Sequence, residues 1–410
     1  MKILIISGNP INDNSSTNLY KKRIFKELSK ENELTVITYN YNKEDIIYTE
    51  NNIKYIEYGY KNTKNQFINY IKKKLKVNQN KNDESLKNNK AEKIENGIDI
   101  FNFLKKIYNL FKSDNEKIYG SLTYWIHKVV KLINLNDYDL IISLSYPAVS
   151  HKLAYDICNH YDNDIDWFQI WFEPWNLKVK NNLSNEIKSE ENMFFELADH
   201  IFYMNPLFYE KKINEFKQFS SKIHLLDLPI NINENEYKTD LSKRKSVGYF
   251  GSYFTYNRNI IPLYEAMNDL VDFDNYIIGN SNIDLESKEN ILIKGRIPYN
   301  ELKKYEQQVS ILVVISNYKI YSNLIPGKIY EYSSTNKYIL FILDGKEKSK
   351  EKIKKYFSDF NRFIYCENNK SSIKKELKKI ANNYYERDVI NKPIKRFDAK
   401  SVVGEITKYF

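Results

Sequence analysis

Ser246-Val247-Gly248-Tyr249-Phe250-Gly251-Ser252 decides the fold. It is a short apolar and aromatic run that ends in a Gly-Ser turn, and a helical stretch over 259–270 follows it. A strand buried on both faces of a parallel sheet reads this way. The run comes directly after 229–245, a polar segment without periodicity that reads as a linker. The alternation of strand and helix therefore starts afresh at Ser246. Downstream, strands are expected at 276–278, 291–293, 311–315, 338–343 and 362–366, with helices near 301–307, 327–334, 350–357, 371–385 and 400–410. Upstream, strands are expected at 2–7, 34–39, 53–58, 140–145, 167–172, 201–204 and 223–228. Helices at 17–29, 148–159, 185–197 and 206–216 separate them. Two successive doubly wound α/β units predict two Rossmann-like domains with a cleft between them.

Length agrees, since 410 residues suit two domains of about 150–200 each. With 42% hydrophobic residues each domain can bury a core, which excludes wholesale disorder. No run of about 18 apolar residues occurs, so no transmembrane helix is expected. The apolar N-terminal stretch is too short for a signal peptide and ends in a Gly-containing turn, which points to the cytoplasm. Cys158 and Cys366, far apart in apolar stretches, read as reduced core residues. The 63 basic and 53 acidic residues leave a net charge of +10. That balance suggests phosphate-bearing partners, although a chain crowded with Lys, Asn, Ile and 35 Tyr also reflects AT-rich codons.

One region breaks the alternation. The segment 61–134 holds three helical stretches without a strand, and 77–97 inside it is polar. Lysines and apolar residues mix at helical spacing in 67–76 and 100–112. Contact of 65–112 with an anionic membrane, on the inner face of the plasma membrane, is one reading. Ordinary amphipathic packing with Lys facing solvent is the simpler one.

In an open α/β sheet, ligands bind outside the carboxyl ends of the strands. Three loops lie there. Gly8 follows the first strand and allows close backbone approach, while Ser16 or Thr17 can cap the next helix, whose start favours an anion. A plain strand–turn–helix explains the same residues. Gly251 and Ser252 end the strand at 246–250 and Arg258 opens the next helix, a set suited to a phosphate. Neither GxGxxG nor a Walker A pattern is present. In Leu324-Ile325-Pro326-Gly327-Lys328-Ile329-Tyr330-Glu331-Tyr332, Pro326 and Gly327 expose the N–H groups of a helix start. Lys328 adds a positive charge there, and Glu331 can accept hydrogen bonds from a ribose diol. A turn glycine and a first-turn acid are the competing explanation.

The stretch 325–332, followed by Asn336-Lys337-Tyr338-Ile339-Leu340, resembles the "PGK-x-YEY…GKP-(I/V)-L" segment of GT-B glycosyltransferases related to family 4, surface-polysaccharide and capsule enzymes. Trp125, Tyr138-Asp139-Leu140-Ile141-Ile142-Ser143, Tyr146-Pro147, Trp167 and Phe172-Glu173-Pro174-Trp175 resemble a second pattern of the same enzymes. Ile291-Leu292-Ile293-Lys294-Gly295-Arg296-Ile297-Pro298-Tyr299-Asn300-Glu301-Leu302 resembles their base-binding loop. The likeness spans nearly the whole chain in order. Five positions depart from it: the acid expected eight residues before Glu331 is Asn323, the RDPW-like arginine and aspartate are Phe172 and Glu173, and the GKP glycine and proline are Asn336 and Tyr338.

The resemblance implies two facing Rossmann-like domains: 1–228, carrying the insert 61–134, for the acceptor, and 246–392 for the donor, joined by 229–245. A helix within 393–410 would return to the first domain. It further implies sugar transfer from a UDP- or GDP-sugar to a hydroxyl of a glycan, lipid-linked saccharide or glycoconjugate. The outcome would be retaining, with no metal and no tightly bound cofactor. Gly8, Gly251, Ser252, Arg258, Gly295, Arg296, Ile297, Pro326, Gly327, Lys328 and Glu331 would serve the donor, with Glu331 on the ribose and Lys328 on the diphosphate. The catalytic residue is unassigned, with His151 and Glu173 as candidates. Asp-x-Asp patterns at 137–139, 162–164, 164–166 and 272–274 precede strands or lie in polar loops, so they read as solvated turns and not as metal ligands. A sugar-nucleotide epimerase of the same fold and a non-catalytic nucleotide-sugar-binding protein are the alternatives. Nucleic acid is not expected as a partner, because no recognition motif accompanies the charge.

Overall fold

A computed structural model of the chain describes residues 1–11, 15–40, 44–60, 118–145, 147–161, 165–175, 183–232, 245–317, 324–383 and 392–410. The segment 65–112 read as a membrane contact lies outside them, as do Asn323 and positions 233–244 of the expected linker.

The first half runs β1 (Lys2–Ser7), α1 (Ser16–Leu28), β2 (Glu33–Asn40), β3 (Ile46–Glu50), β4 (Ile53–Gly59), α2 (Leu122–Val130), β5 (Leu140–Leu144), α3 (Val149–Tyr161), β6 (Asp166–Trp171), α4 (Ser184–Leu197), β7 (His200–Tyr203), α5 (Pro206–Glu215) and β8 (Ile223–Leu225). Its strands form one sheet in the order β3-β4-β2-β1-β5-β6-β7-β8. β1 lies in the interior, pairing in parallel with β2 through Ile3↔Leu34 and with β5 through Ile3↔Leu140. Ile3, Leu4, Ile5 and Ile6 are all fully buried, which is why this strand reads as a continuous apolar run and not as an alternating one.

An antiparallel edge strand was not expected from the sequence. β3 pairs antiparallel with β4 from Glu50↔Ile53 outward, and Asn51 and Asn52 close the hairpin at φ 51 and 63. Two consecutive residues in the left-handed region make the two-residue turn whose twist matches the strands, and Asn tolerates it well.

The second half runs β9 (Ser246–Phe250), α6 (Ile261–Asn268), β10 (Asp274–Ile278), β11 (Ile291–Lys294), α7 (Tyr299–Gln308), β12 (Ile311–Ile315), α8 (Lys328–Ser333), β13 (Tyr338–Leu343), α9 (Glu347–Tyr356), β14 (Phe363–Glu367), α10 (Lys370–Ala381) and α11 (Ala399–Thr407). The sheet order is β11-β10-β9-β12-β13-β14, a doubly wound arrangement with every neighbour parallel. Side chains alternate across it. Val247, Tyr249, Val313, Leu340 and Ile342 pack on Leu263 and Met267 of α6 and on Ile373 and Leu377 of α10. Phe250, Leu312, Val314, Ile339 and Phe341 pack on the other side with Ile329 of α8 and Ile353 of α9. Each fully buried aliphatic or Phe side chain contributes about 1.5–3 kcal/mol, so this double-faced core is the main source of the unit's stability.

By density of contacts the chain divides into two compact units. One holds Met1–Asn18 and Leu28–Phe202; the other holds Leu19–Glu27 of α1 together with Tyr203–Phe410. Residues 203–225 thus cluster with the second unit, although β8 extends the first sheet. Cys158 and Cys366 are free and buried, and burial pushes each thiol up to about 12. Among the described residues no helix is long and apolar enough to cross a membrane.

Candidate functional site

The strand order of the second unit reverses between β9 and β12, and both neighbours of that junction are parallel. Such a switch point opens a crevice at the carboxyl ends of the strands, because the crossovers leave in opposite directions. Gly251 and Ser252 follow β9, and Asn317 follows β12. Arg258 joins them. Its Nε donates to Asn317 Oδ1 at 2.8 Å and its terminal nitrogen donates to the Ser252 carbonyl at 2.9 Å. Asn317 passes the connection on, its Nδ2 donating to Leu324 O at 2.8 Å. One guanidinium thus fixes the loops after both strands, and it stays partly exposed while doing so. Asn317 was not singled out in the sequence; its signal was a polar pair, Ser316-Asn317, placed directly beyond the apolar strand 311–315.

Gly279 ties a third strand end to this place. Its N–H donates to Lys294 O at 3.0 Å, and a Cβ there would lie 2.1 Å from Gly251 O. Gly251 N in turn donates to Ile278 O at 3.0 Å. The turn after β11 is thereby linked through β10 to the Gly251 turn. Gly295 and Arg296 are exposed, and Ile297 is half-buried against the core.

The segment 324–332 differs from the sequence reading in how its glycine works. A Cβ on Gly327 would lie 2.4 Å from the Tyr20 hydroxyl oxygen, so glycine is present for close packing. Tyr20 is buried, and burial together with the Glu331 carboxylate pushes its phenol far above the ordinary value, so it is neutral. α8 is also only six residues long, so its aligned peptide dipoles are few and local charge must come from side chains.

Those side chains are held by partners of opposite sign. Lys328 Nζ lies 2.6 Å from Glu306 Oε1, and Lys303 Nζ lies 2.8 Å from Glu306 Oε2. Burial raises the pKa of Glu306, but the two lysines outweigh it and hold the carboxyl below its ordinary value. Glu331 receives both arms of the Arg23 guanidinium, at 2.6 Å on Oε1 and 3.1 Å on Oε2. Arg23 also donates to Pro229 O at 2.9 Å. Arg23 lies in Leu19–Glu27, within the same compact unit as Glu331. Neither Arg23 nor Glu306 was marked in the sequence.

In the first unit the order reverses between β1 and β5. A Cβ on Gly8 would lie 2.8 Å from Ser150 Oγ and 2.8 Å from Val149 Cγ1, so the glycine lets the turn after β1 pack on the start of α3. His151 is fully buried there, its ring 4.1 Å from that of Trp171. Its Nδ1 meets Ser143 Oγ at 2.7 Å, and Ser143 Oγ accepts from Trp167 Nε1 at 2.7 Å. Glu173, beyond β6, is half-buried beside Phe172 and Trp175, which are buried. Two of the Asp-x-Asp carboxylates are engaged locally: Asp139 accepts from the Lys2 amide at 2.7 Å, and Asp272 pairs with Lys245 at 2.5 Å, while positions 162–164 lie outside the described residues.

Solved structures match this architecture along its whole length. HepE from Anabaena, solved with UDP and glucose, shares 11% identity over 100% of this chain and 99% of its own, with a TM-score of 0.58. A glycosyltransferase from Rickettsia africae shares 10% identity over 100% of this chain and 97% of its own, with a TM-score of 0.60. The chain has the GT-B fold. A UDP-GlcNAc 2-epimerase from Neisseria meningitidis, bound to UDP-GlcNAc, matches at 11% identity over 100% of this chain and 99% of its own, with a TM-score of 0.50. Identities this low establish the GT-B fold and nothing about the reaction. No protein-family model and no curated protein matches the sequence.

Proposed function

We propose that this GT-B chain is a glycosyltransferase of the family 4 type. It would transfer a sugar from a UDP- or GDP-sugar to a hydroxyl of a glycan, lipid-linked saccharide or glycoconjugate. The observation that carries the reading is the set of fixed polar side chains around the switch point of the second sheet. Arg258 is anchored between Ser252 and Asn317, and Lys328 and Glu331 open the helix beyond β12.

The difficult step is departure of a nucleoside diphosphate from an oxocarbenium-like carbon. Positive groups already in place stabilise that anion without reorganisation, and one such donor is worth about 3 kcal/mol of barrier. Arg258 and Lys328 are the groups assigned to the diphosphate, and Glu331 to the ribose diol. The loop with Gly295, Arg296 and Ile297 takes the base. Gly251 and Ser252 supply a close backbone approach. Pro326 and Gly327 shape the start of α8, and Gly8 does the same for the turn after β1. A retaining, metal-independent course follows the family 4 resemblance. His151, fully buried and bonded to Ser143, is assigned a packing role, which leaves Glu173 as the acceptor-side acid.

A second reading stays alive because a UDP-GlcNAc 2-epimerase shares the fold. Product analysis separates the two. Incubation with UDP- and GDP-sugars plus a saccharide acceptor should release free nucleoside diphosphate and an elongated acceptor. An isomerised sugar nucleotide with no new glycoside would establish the epimerase instead.

A further inference from the structure

Arg23 makes contacts that a surface arginine does not need. Its side chain is 7% exposed and its fork grips both oxygens of Glu331, at 2.6 and 3.1 Å. A third bond runs to Pro229 O at 2.9 Å, and the guanidinium carbon lies 5.6 Å from the centre of the Tyr20 ring. Nε is buried with no hydrogen-bond partner among the described residues. Tyr20 and Arg23 are three residues apart and so share one face of α1. Tyr20 fills the space that a Cβ on Gly327 would take, and Arg23 clamps the carboxylate one turn further along. α1 therefore fixes both ends of the segment from Gly327 to Glu331.

We infer that Arg23 is the positioning residue for recognition of the donor ribose. The inference rests on the functional reading above and adds a residue to it. An ionised carboxylate offers about four lone-pair sites on two oxygens. The planar fork takes the converging lone pair of each oxygen and leaves one outward-facing site on each, so the clamped carboxylate can still accept from a ribose hydroxyl. The Glu331 side chain is 16% exposed, so it is not sealed off. The fork also sets the plane of the carboxylate, which a lysine cannot do because its ammonium is a point charge on a flexible stem. Without Arg23, Glu331 loses its fixed plane, and the ribose hydroxyl loses an acceptor held in place for it.

The test compares UDP and GDP with their 2′,3′-dideoxy forms, titrated calorimetrically into the full chain and into the variants R23M and R23K. Hydrogen bonds to a charged acceptor give the wild-type chain a preference for the intact ribose of roughly ten- to a hundredfold. R23M should bind the dideoxy nucleotide as the wild type does, within about twofold, and lose most of the preference. R23K should stay close to R23M. Retained dideoxy binding also shows that the variant is folded. A preference unchanged in R23M overturns the inference, and so does an equal loss of both ligands, which would make Arg23 a merely structural ion-pair partner. A wild-type chain that binds neither nucleotide overturns the functional reading itself, and this inference with it.

Discussion

Lys328 at the start of α8 reaches the buried carboxylate of Glu306 on α7, with Nζ 2.6 Å from Oε1. The positive charge that the sequence offers to a diphosphate is thus already fixed by an acid 22 residues earlier in the chain. Lys303 on the other oxygen leaves this three-residue group with a net positive charge. Glu306 both orients Lys328 and keeps two lysines from repelling each other.

Replacing Glu306 with Gln removes that counter-ion and should lower stability by about 1–3 kcal/mol, the cost of leaving buried charge-assisted bonds unmade. The pH dependence has a definite sign. Glu306 titrates below its ordinary value of 4.5 in the folded chain, so its contribution is complete above that value and is lost as pH falls through the depressed one. The gap in melting temperature between wild type and Glu306→Gln should therefore narrow from pH 5 downward. A gap independent of pH would remove the ion pair from the account.

Gly327→Ala places a methyl group 2.4 Å from the Tyr20 hydroxyl oxygen, a contact that one of the two must relieve. Its backbone, at φ −57, suits alanine, so the clash alone sets the effect. Overpacking of this kind costs about 1–3 kcal/mol. Adding Tyr20→Phe deletes the clashing oxygen and should restore part of the loss in a urea titration. Additive losses in the double variant would show that the two positions are not coupled.

Gly279→Ala is harsher, because its Cβ would fall 2.1 Å from the backbone oxygen of Gly251. Backbone cannot rotate aside as a side-chain tip can. The variant should lose more than about 3 kcal/mol or fail to accumulate as folded protein. An alanine variant with wild-type stability would mean that the Gly251 turn is not packed on β10.

Cys158 and Cys366 should ignore thiol reagents in the native chain. Burial holds both thiols near 12, so little thiolate forms at pH 8, and both residues are buried. Labelling with an aromatic disulfide should report no fast-reacting thiol until denaturant is added, and two afterwards.

The sequence stated the strands of the sheet interior almost to the residue. The stretches 2–7, 246–250, 311–315 and 338–343 coincide with β1, β9, β12 and β13, because burial on both faces demands an unbroken apolar run. The edge strand β3 escaped notice for the opposite reason. It is largely exposed, so its side chains carry no burial pattern, although Asn51-Asn52 was a readable hairpin signal. Site residues that follow a strand were visible by position, as Gly251, Ser252 and Arg258 were. Their partners were not. Arg23 and Glu331 are 308 residues apart, and Glu306 sits in Tyr299–Gln308 as one of two acids in a polar helix. No local pattern tells a buried counter-ion from a solvated one; only the fold, which brings Lys328 to Glu306, does.

Affinity for a nucleoside diphosphate reports on the donor site itself. UDP and GDP should be titrated into the wild-type chain and into Lys328→Ala and Arg258→Ala. At least one nucleotide should bind the wild type saturably. Binding should weaken by roughly tenfold or more in each variant, since each removes a charge-assisted contact worth about 1.5–3 kcal/mol. Binding of equal strength in all three proteins, or binding of neither nucleotide by the wild type, would contradict a donor site at the β9–β12 switch point.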